Sequence, residues 1–199
     1  MLRNNVDWIP AVVFFAVVVS WIAFALVFIT RKTPPKAPDQ KRDSSSVVGI
    51  AIQGLSYAIV WAFHRPYFSR FVGGSETVNL IFGLLAVILA FGSLAFTMSA
   101  VKSLGKEWSL TARVVEGHEL ATSGPYAWVR HPIYTGMLGM LLATGIATSY
   151  WQVLVVAAVL LTIGTTIRVR KEERLLRELF GDHFHAYAKR VSAFVPWIY

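Results

Sequence analysis

The chain has no cysteine and few charged residues. Without cysteine there is no disulfide framework, no thiolate nucleophile, no thiolate-held zinc and no palmitoylation of the chain itself. Charged side chains make up 15% of the 199 residues, against about 25% in soluble domains, a shortage that excludes an ordinary water-soluble surface. Acidic residues are scarcer than basic ones, 11 against 19, which gives a net charge of +8. No Gly-x-Gly-x-x-Gly string occurs, so a soluble dinucleotide-type cofactor fold has no support. No repeat at a solenoid period is present either. What the chain has instead is apolar side chains, 55% of its residues, and a mean hydropathy of +0.55.

These apolar residues fall in five segments. The first, Trp8–Ile29, has 22 residues and as a helix covers roughly 33 Å. It is longer than a signal-peptide core, and its small-residue pattern Ala23-Phe24-Ala25 lies inside the run. It therefore reads as a retained span rather than a cleaved leader. The others are 47–63, 78–101, Pro132–Thr148 and 151–167. The third is long enough to cross with tilt, whereas the second, fourth and fifth have 17 residues each, the lower limit for a span. Only Ser149-Tyr150 separates the last two, which predicts a tight helical hairpin. The linker 31–46, with Pro34, Pro35, Pro38 and Ser44-Ser45-Ser46, reads as a solvated connection. The expected fold is an all-α membrane protein with about five transmembrane helices, a C-terminal helical hairpin and cytoplasmic amphipathic helices. Residues 1–101 form its three N-terminal spans, and 102–199 hold the longer polar stretches around the hairpin 132–167. Small residues at Gly83, Ala86, Ala90 and Gly92, with Gly136, Gly139 and Ala143, are expected where helices approach closely.

Charge orients this arrangement. With alternating spans, five basic residues of the linker, four of 102–131 and seven from Arg168 onward share one side, leaving Arg3, Arg65 and Arg70 on the other. The positive-inside bias predicts an outside N-terminus and a cytoplasmic C-terminus. The membrane is the cytoplasmic one in a bacterium or archaeon, or the endoplasmic reticulum in a eukaryote. Anionic lipid headgroups, not nucleic acid, are the partner to which the net charge points. The segments 102–131 and 168–199 flank the hairpin on that cytoplasmic side, so one site can draw on both.

Two stretches carry the chemistry. The first is His118-Glu119-Leu120-Ala121-Thr122-Ser123-Gly124-Pro125-Tyr126, leading into Arg130-His131-Pro132-Ile133-Tyr134-Thr135-Gly136. Gly124-Pro125 signals a turn. His131 precedes a proline suited to the first helical position, so it sits just ahead of the fourth span. The bare N–H groups of a helix start favour an anion, and the faces of Tyr126 and Tyr134 favour a cation. The second stretch, 168–181, sets Arg168 and Glu172 four apart on one helical face and ends at a helix-stopping Gly181. Both stretches are also compatible with plain interface anchoring and snorkelling. His64-Arg65-Pro66-Tyr67 reads as such an anchor on the opposite face. His183 and His185, two apart on a short helix with no third ligand nearby, do not make a metal site.

The order of these pieces resembles the isoprenylcysteine carboxyl methyltransferase family and, more distantly, the phosphatidylethanolamine N-methyltransferases. The resemblance runs over roughly 104–196: Leu104-Gly105 and Trp108-Ser109, the two motifs above, Glu172-Glu173, then Phe180-Gly181, Phe184, Tyr187, Val191 and Pro196. It implies an integral membrane methyltransferase, like the protein-S-isoprenylcysteine O-methyltransferases, that uses S-adenosyl-L-methionine (SAM), releases S-adenosyl-L-homocysteine and has 102–199 as its SAM-binding region. The implied cofactor contacts are His118, Glu119, Leu120, Ala121, Tyr126, His131, Pro132, Ile133, Tyr134 and Glu172. Arg168 would face the acceptor carboxylate, making Arg168 and Glu172 the catalytic pair. The acceptor would be lipidic or prenylated, enter from the bilayer and undergo carboxyl O-methylation, with no metal. Two departures, Thr111 where the animal enzymes have glutamine and Phe184 where tyrosine is usual, bear on the acceptor. The alternatives are N-methylation of a phosphatidylethanolamine-type amine and, by likeness to membrane sterol reductases, an NADPH-dependent reductase.

Overall fold

Each apolar segment becomes a helix, because backbone in lipid must satisfy its N–H and C=O groups within its own segment. The computed structural model describes residues 8–30, 39–42, 46–71, 75–105, 113–115 and 120–195. In chain order the elements are α1 (Trp8–Ile29), β1 (Asp39–Arg42), α2 (Ser46–Ala62), α3 (Glu76–Leu104), β2 (Arg113–Val115), a 3-10 turn (Gly124–Ala127), α4 (Pro132–Thr148), α5 (Trp151–Phe180) and α6 (Asp182–Ala188). Helices α1, α3 and α5 are long and apolar enough to cross a membrane, and the shorter α2 and α4 are apolar as well. The chain is an integral, multi-pass membrane protein with an all-helical bundle. The only strands among the described residues, β1 and β2, form a short antiparallel ladder pairing Asp39 with Val115 and Arg42 with Arg113. Part of the linker 31–46 is thus tied to the segment that follows α3.

Successive helices alternate in direction, and small residues set their spacing. Along α3 and α4, a Cβ added at Gly136 would lie 2.0 Å from Thr97 Oγ1, and one at Gly139 2.0 Å from Ser93 Oγ. Gly83 meets Val13 of α1. Ala86, Ala90 and Ala143 lie in the same core with Ile9, Val17 and Met140. Gly92 differs from expectation: it faces open space and takes no part in the packing. Val12, Phe15, Val19, Ile88, Val155 and Val159 point outward, as a lipid-facing surface requires.

The end of α5 also departs from the sequence reading. The span 151–167 and the basic stretch after it form one continuous helix of 30 residues. Arginine, lysine, glutamate and leucine are all good helix formers, so nothing between Ile167 and Phe180 breaks it. Gly181 does, at φ 49°, a left-handed value that only glycine adopts freely. Beyond α6 the chain folds back: the Arg130 and His131 amides donate to the Ser192 and Ala193 carbonyls, both at 2.8 Å, and Thr135 Oγ1 donates to Phe194 O.

The His64–Tyr67 stretch lies at the far end of the bundle, beside the α4–α5 turn. His64 bridges Ser149, and the Arg65 amide donates to Thr148 O at 2.8 Å. Arg65 is buried rather than snorkelling: its guanidinium donates to Ile146 O at 2.7 Å and Arg70 O at 2.6 Å. A cation at the carboxyl end of α4 complements that helix's dipole.

Candidate functional site

At the other end of the hairpin, the start of α4 faces the polar end of α5. Gly124, at φ 61°, opens the 3-10 turn, and a Cβ there would come 3.0 Å from Ser103 Oγ, so the turn rests on the end of α3. Tyr126 is buried in it, and its carbonyl accepts from Tyr187 Oη at 2.6 Å. Leu120 and Ala121 lead into this turn half-buried. His131 caps α4 outside helical dihedrals, with Pro132 at the first helical position, and Ile133 continues the first turn.

Glu172 is the point on which the other groups converge. His131 Nδ1 lies 3.3 Å from Glu172 Oε2, Tyr134 Oη donates to Glu172 Oε1 at 2.5 Å, and Arg168 Nη2 lies 3.7 Å from that same oxygen. The Arg168 guanidinium sits 5.1 Å over the Tyr134 ring, which is itself stacked on His131. Glu173 makes a second node. It accepts from Arg130 Nε at 2.8 Å and from Arg177 Nη2 at 2.7 Å, and His131 Nε2 lies 3.4 Å away. Arg130 also donates to the Ala188 and Val191 carbonyls, so this node ties the chain end to the site.

The imidazole of His131 is therefore held between two carboxylates, one at each ring nitrogen. Burial pushes its pKa down, but the hydrogen bonds and charges of Glu172 and Glu173 outweigh burial and leave it above the ordinary imidazole value. When the ring is protonated, both nitrogens donate. Among the described residues, Arg130, Arg168 and Arg177 stand with His131 around the carboxylates of Glu172 and Glu173. Tyr187 is no base near neutral pH, since burial pushes its hydroxyl up to about 12.

Of the residues singled out from the sequence, His131, Tyr134, Arg168 and Glu172 come together. Pro132 and Ile133 adjoin them, while Tyr126 is buried in the 3-10 turn and Leu120 and Ala121 precede that turn half-buried. His118, Glu119 and Thr111 lie outside the described residues. Phe184 is fully buried beneath the Arg177 guanidinium. Beside the α4 start, the carboxylates of Glu172 and Glu173 reach the His131 ring from α5. One buried group escaped the sequence reading: Gln53 of α2, whose amide joins Arg168 Nη1 at 3.1 Å to Thr165 Oγ1 at 2.9 Å. Its signal was there, the one carboxamide in the apolar segment 47–63, a polar group of the kind that marks function inside membranes.

Comparison with known proteins adds a family to this geometry. The chain is 25% identical to methanethiol S-methyltransferase 1 of Bradyrhizobium diazoefficiens, over 88% of its own length and 77% of that protein's. It is 32% identical to the cobalt-zinc-cadmium resistance protein CzcN of Cupriavidus metallidurans, over 67% of this chain and 64% of that one. With protein-S-isoprenylcysteine O-methyltransferase B of Arabidopsis thaliana it shares 30% identity, over 59% of each chain. It thus spans less than two thirds of the length of these last two relatives. The family match starts earlier than the resemblance read from the motifs, inside α3, and stops within α5, leaving α1, α2 and α6 outside it. Over residues 81–178, the segment that holds His131, Tyr134, Arg168 and Glu172, the chain has a family-level match to the isoprenylcysteine carboxyl methyltransferase family.

Proposed function

We propose that the protein is a SAM-dependent methyltransferase working at the membrane surface, and that its acceptor is the carboxylate of a lipidic, isoprenylcysteine-type molecule. The observation that carries this reading is the convergence of His131, Tyr134 and Arg168 on Glu172. The donor set fits SAM in kind. Glu172 accepts from hydroxyl or ammonium groups, a guanidinium such as that of Arg168 suits a carboxylate, and the faces of Tyr134 and Tyr126 suit a cationic centre. When bound, SAM supplies an electrophilic methyl group. Arg168 orients the acceptor through its forked donors, and a carboxylate nucleophile needs no general base. Held at the bilayer edge, it needs only position and partial dehydration, and orientation alone contributes on the order of 7–11 kcal/mol to such steps. The acceptor enters sideways from the bilayer, because Arg168 lies on α5, a helix long and apolar enough to cross a membrane, and a lipidic acceptor resides there.

The test is calorimetric titration of purified protein with SAM and, separately, NADPH. SAM binds and NADPH does not. His131→Ala weakens SAM at least about tenfold, the loss of one charge-assisted contact, while the protein stays folded. Unchanged affinity in that variant removes His131 from the cofactor site.

A second reading, S-methylation of a small thiol, is favoured by the likeness to methanethiol S-methyltransferase 1, which extends over 88% of this chain. Assays with methanethiol and with a farnesylcysteine carboxylate, side by side, separate the two. We place the site on the cytoplasmic side, the orientation that the sixteen-to-three distribution of basic residues favours. Reporter fusions at residue 40 and after Tyr199 will both report the cytoplasm; an exterior signal from either overturns the orientation.

A further inference from the structure

Gln53 belongs to α2, outside the residues that match the family, yet it touches the cation at the centre of the site. It is 2% exposed and commits both ends of its amide to α5. Oε1 accepts from Arg168 Nη1, and Nε2 donates to Thr165 Oγ1. A guanidinium only donates, so the carbonyl oxygen must face Arg168 and the NH₂ must face Thr165. The amide has one workable orientation.

The approach of α2 to α5 depends on two glycines. A Cβ on Gly49 would lie 2.5 Å from Arg168 Cγ and 2.7 Å from Gly164 O, and one on Gly164 would lie 2.8 Å from Gly49 O. Close packing by small residues is architecture, but here it brings a polar group against a buried charge. A leucine would pack α2 on α5 without the desolvation cost of an amide, so packing alone does not call for glutamine.

We propose that Gln53 is a positioning residue that selects for an anionic methyl acceptor. It holds Arg168 through a neutral oxygen, which fixes the guanidinium's direction without cancelling its charge. A carboxylate at this position would join Glu172 in neutralising Arg168. An amide adds no further negative charge beside the guanidinium, while the Tyr134 ring supports it from a third side. This inference rests on the reading of Arg168 as the acceptor-binding group.

The experiment uses the full chain in detergent with SAM and N-acetyl-S-farnesylcysteine as the probe. It compares wild type, Gln53→Leu, Gln53→Glu, Arg168→Ala and the Gln53→Leu/Arg168→Ala double variant. Gln53→Leu raises the acceptor KM about tenfold or more, the scale of a lost hydrogen bond to a charged group, while calorimetric SAM affinity holds. Gln53→Glu raises the acceptor KM at least as far. In the Arg168→Ala background, Gln53→Leu adds nothing, since it acts through Arg168. Thr165→Val, which frees the far end of the amide, gives a smaller change of the same sign and serves if the Gln53 variants do not fold. An unchanged acceptor KM, a parallel loss of SAM affinity, or full multiplication of the two single effects would assign Gln53 to helix packing and overturn the proposal. Normal methylation by Arg168→Ala overturns the reading of Arg168 instead, a result recognisable from that single variant.

Discussion

Arg168→Ala is expected to lower methylation of a farnesylcysteine carboxylate by about 10- to 150-fold, the value of one charge-assisted contact, with SAM affinity close to wild type. Glu172→Ala is expected to do the reverse and lose SAM binding first. The two residues are one helical turn apart and 3.7 Å from each other, so proximity alone does not separate their roles. Their other partners do. Glu172 is held by His131 and Tyr134 at the start of α4, whereas Arg168 turns toward Gln53 and the interior of α2. The Tyr134 side chain touches both, but His131 belongs to Glu172 and Gln53 to Arg168. If Arg168→Ala loses SAM as severely as Glu172→Ala, this division of labour fails.

The largest effect on stability is expected from Glu173→Leu. Glu173 is 4% exposed and pairs with Arg130, whose side chain is also buried. Removing one partner of a buried ion pair strands the other charge at a cost of about 3–5 kcal/mol. Arg130 also fastens the chain end through the Ala188 and Val191 carbonyls, so limited proteolysis should cut 188–195 faster in the variant while α1–α3 stay protected. The pH dependence has a defined sign. The folded pKa of His131 is raised, so its pairing stabilises fully below the ordinary imidazole value and is lost as pH rises through the raised one. Glu173→Leu removes one of the two groups that raise it, so the alkaline loss of stability is smaller and is complete at lower pH. Melting curves in detergent across that range measure both effects; a variant as stable as wild type would make the Glu173 node incidental.

The helices were legible because lipid imposes one rule on every span, and the apolar runs are long. Pro132 fixed the start of α4 and Gly181 the end of α5 for local reasons that a sequence displays. His131, Tyr134 and Glu172 were legible through motif order, and the i,i+4 spacing put Arg168 beside Glu172. Neither the Gln53–Arg168 contact nor the Arg130–Glu173 node was legible, since each joins residues far apart in the chain and depends on how two helices meet. The unbroken α5 was missed because a change of composition, from apolar to charged, resembles a boundary although the backbone needs none. Gly92 shows the converse: a small residue in a stripe of small residues reads as an interface, and only the rotation of α3 decides that it faces outward.

The continuity of α5 makes it a measuring rod between the two membrane surfaces. Tyr150 and Trp151 are exposed at its start, where amphipathic rings settle at the headgroup level. Arg168 and Glu172 lie roughly 26 and 32 Å along the axis from Trp151 at 1.5 Å per residue, close to the ~30 Å of hydrocarbon in a typical bilayer. The aromatic anchor on one surface therefore fixes how deep the guanidinium and the carboxylate stand at the other. A thinner or thicker membrane, by tilting this one helix, shifts both groups together relative to the ends of the lipid chains, so bilayer thickness becomes a variable of the site itself.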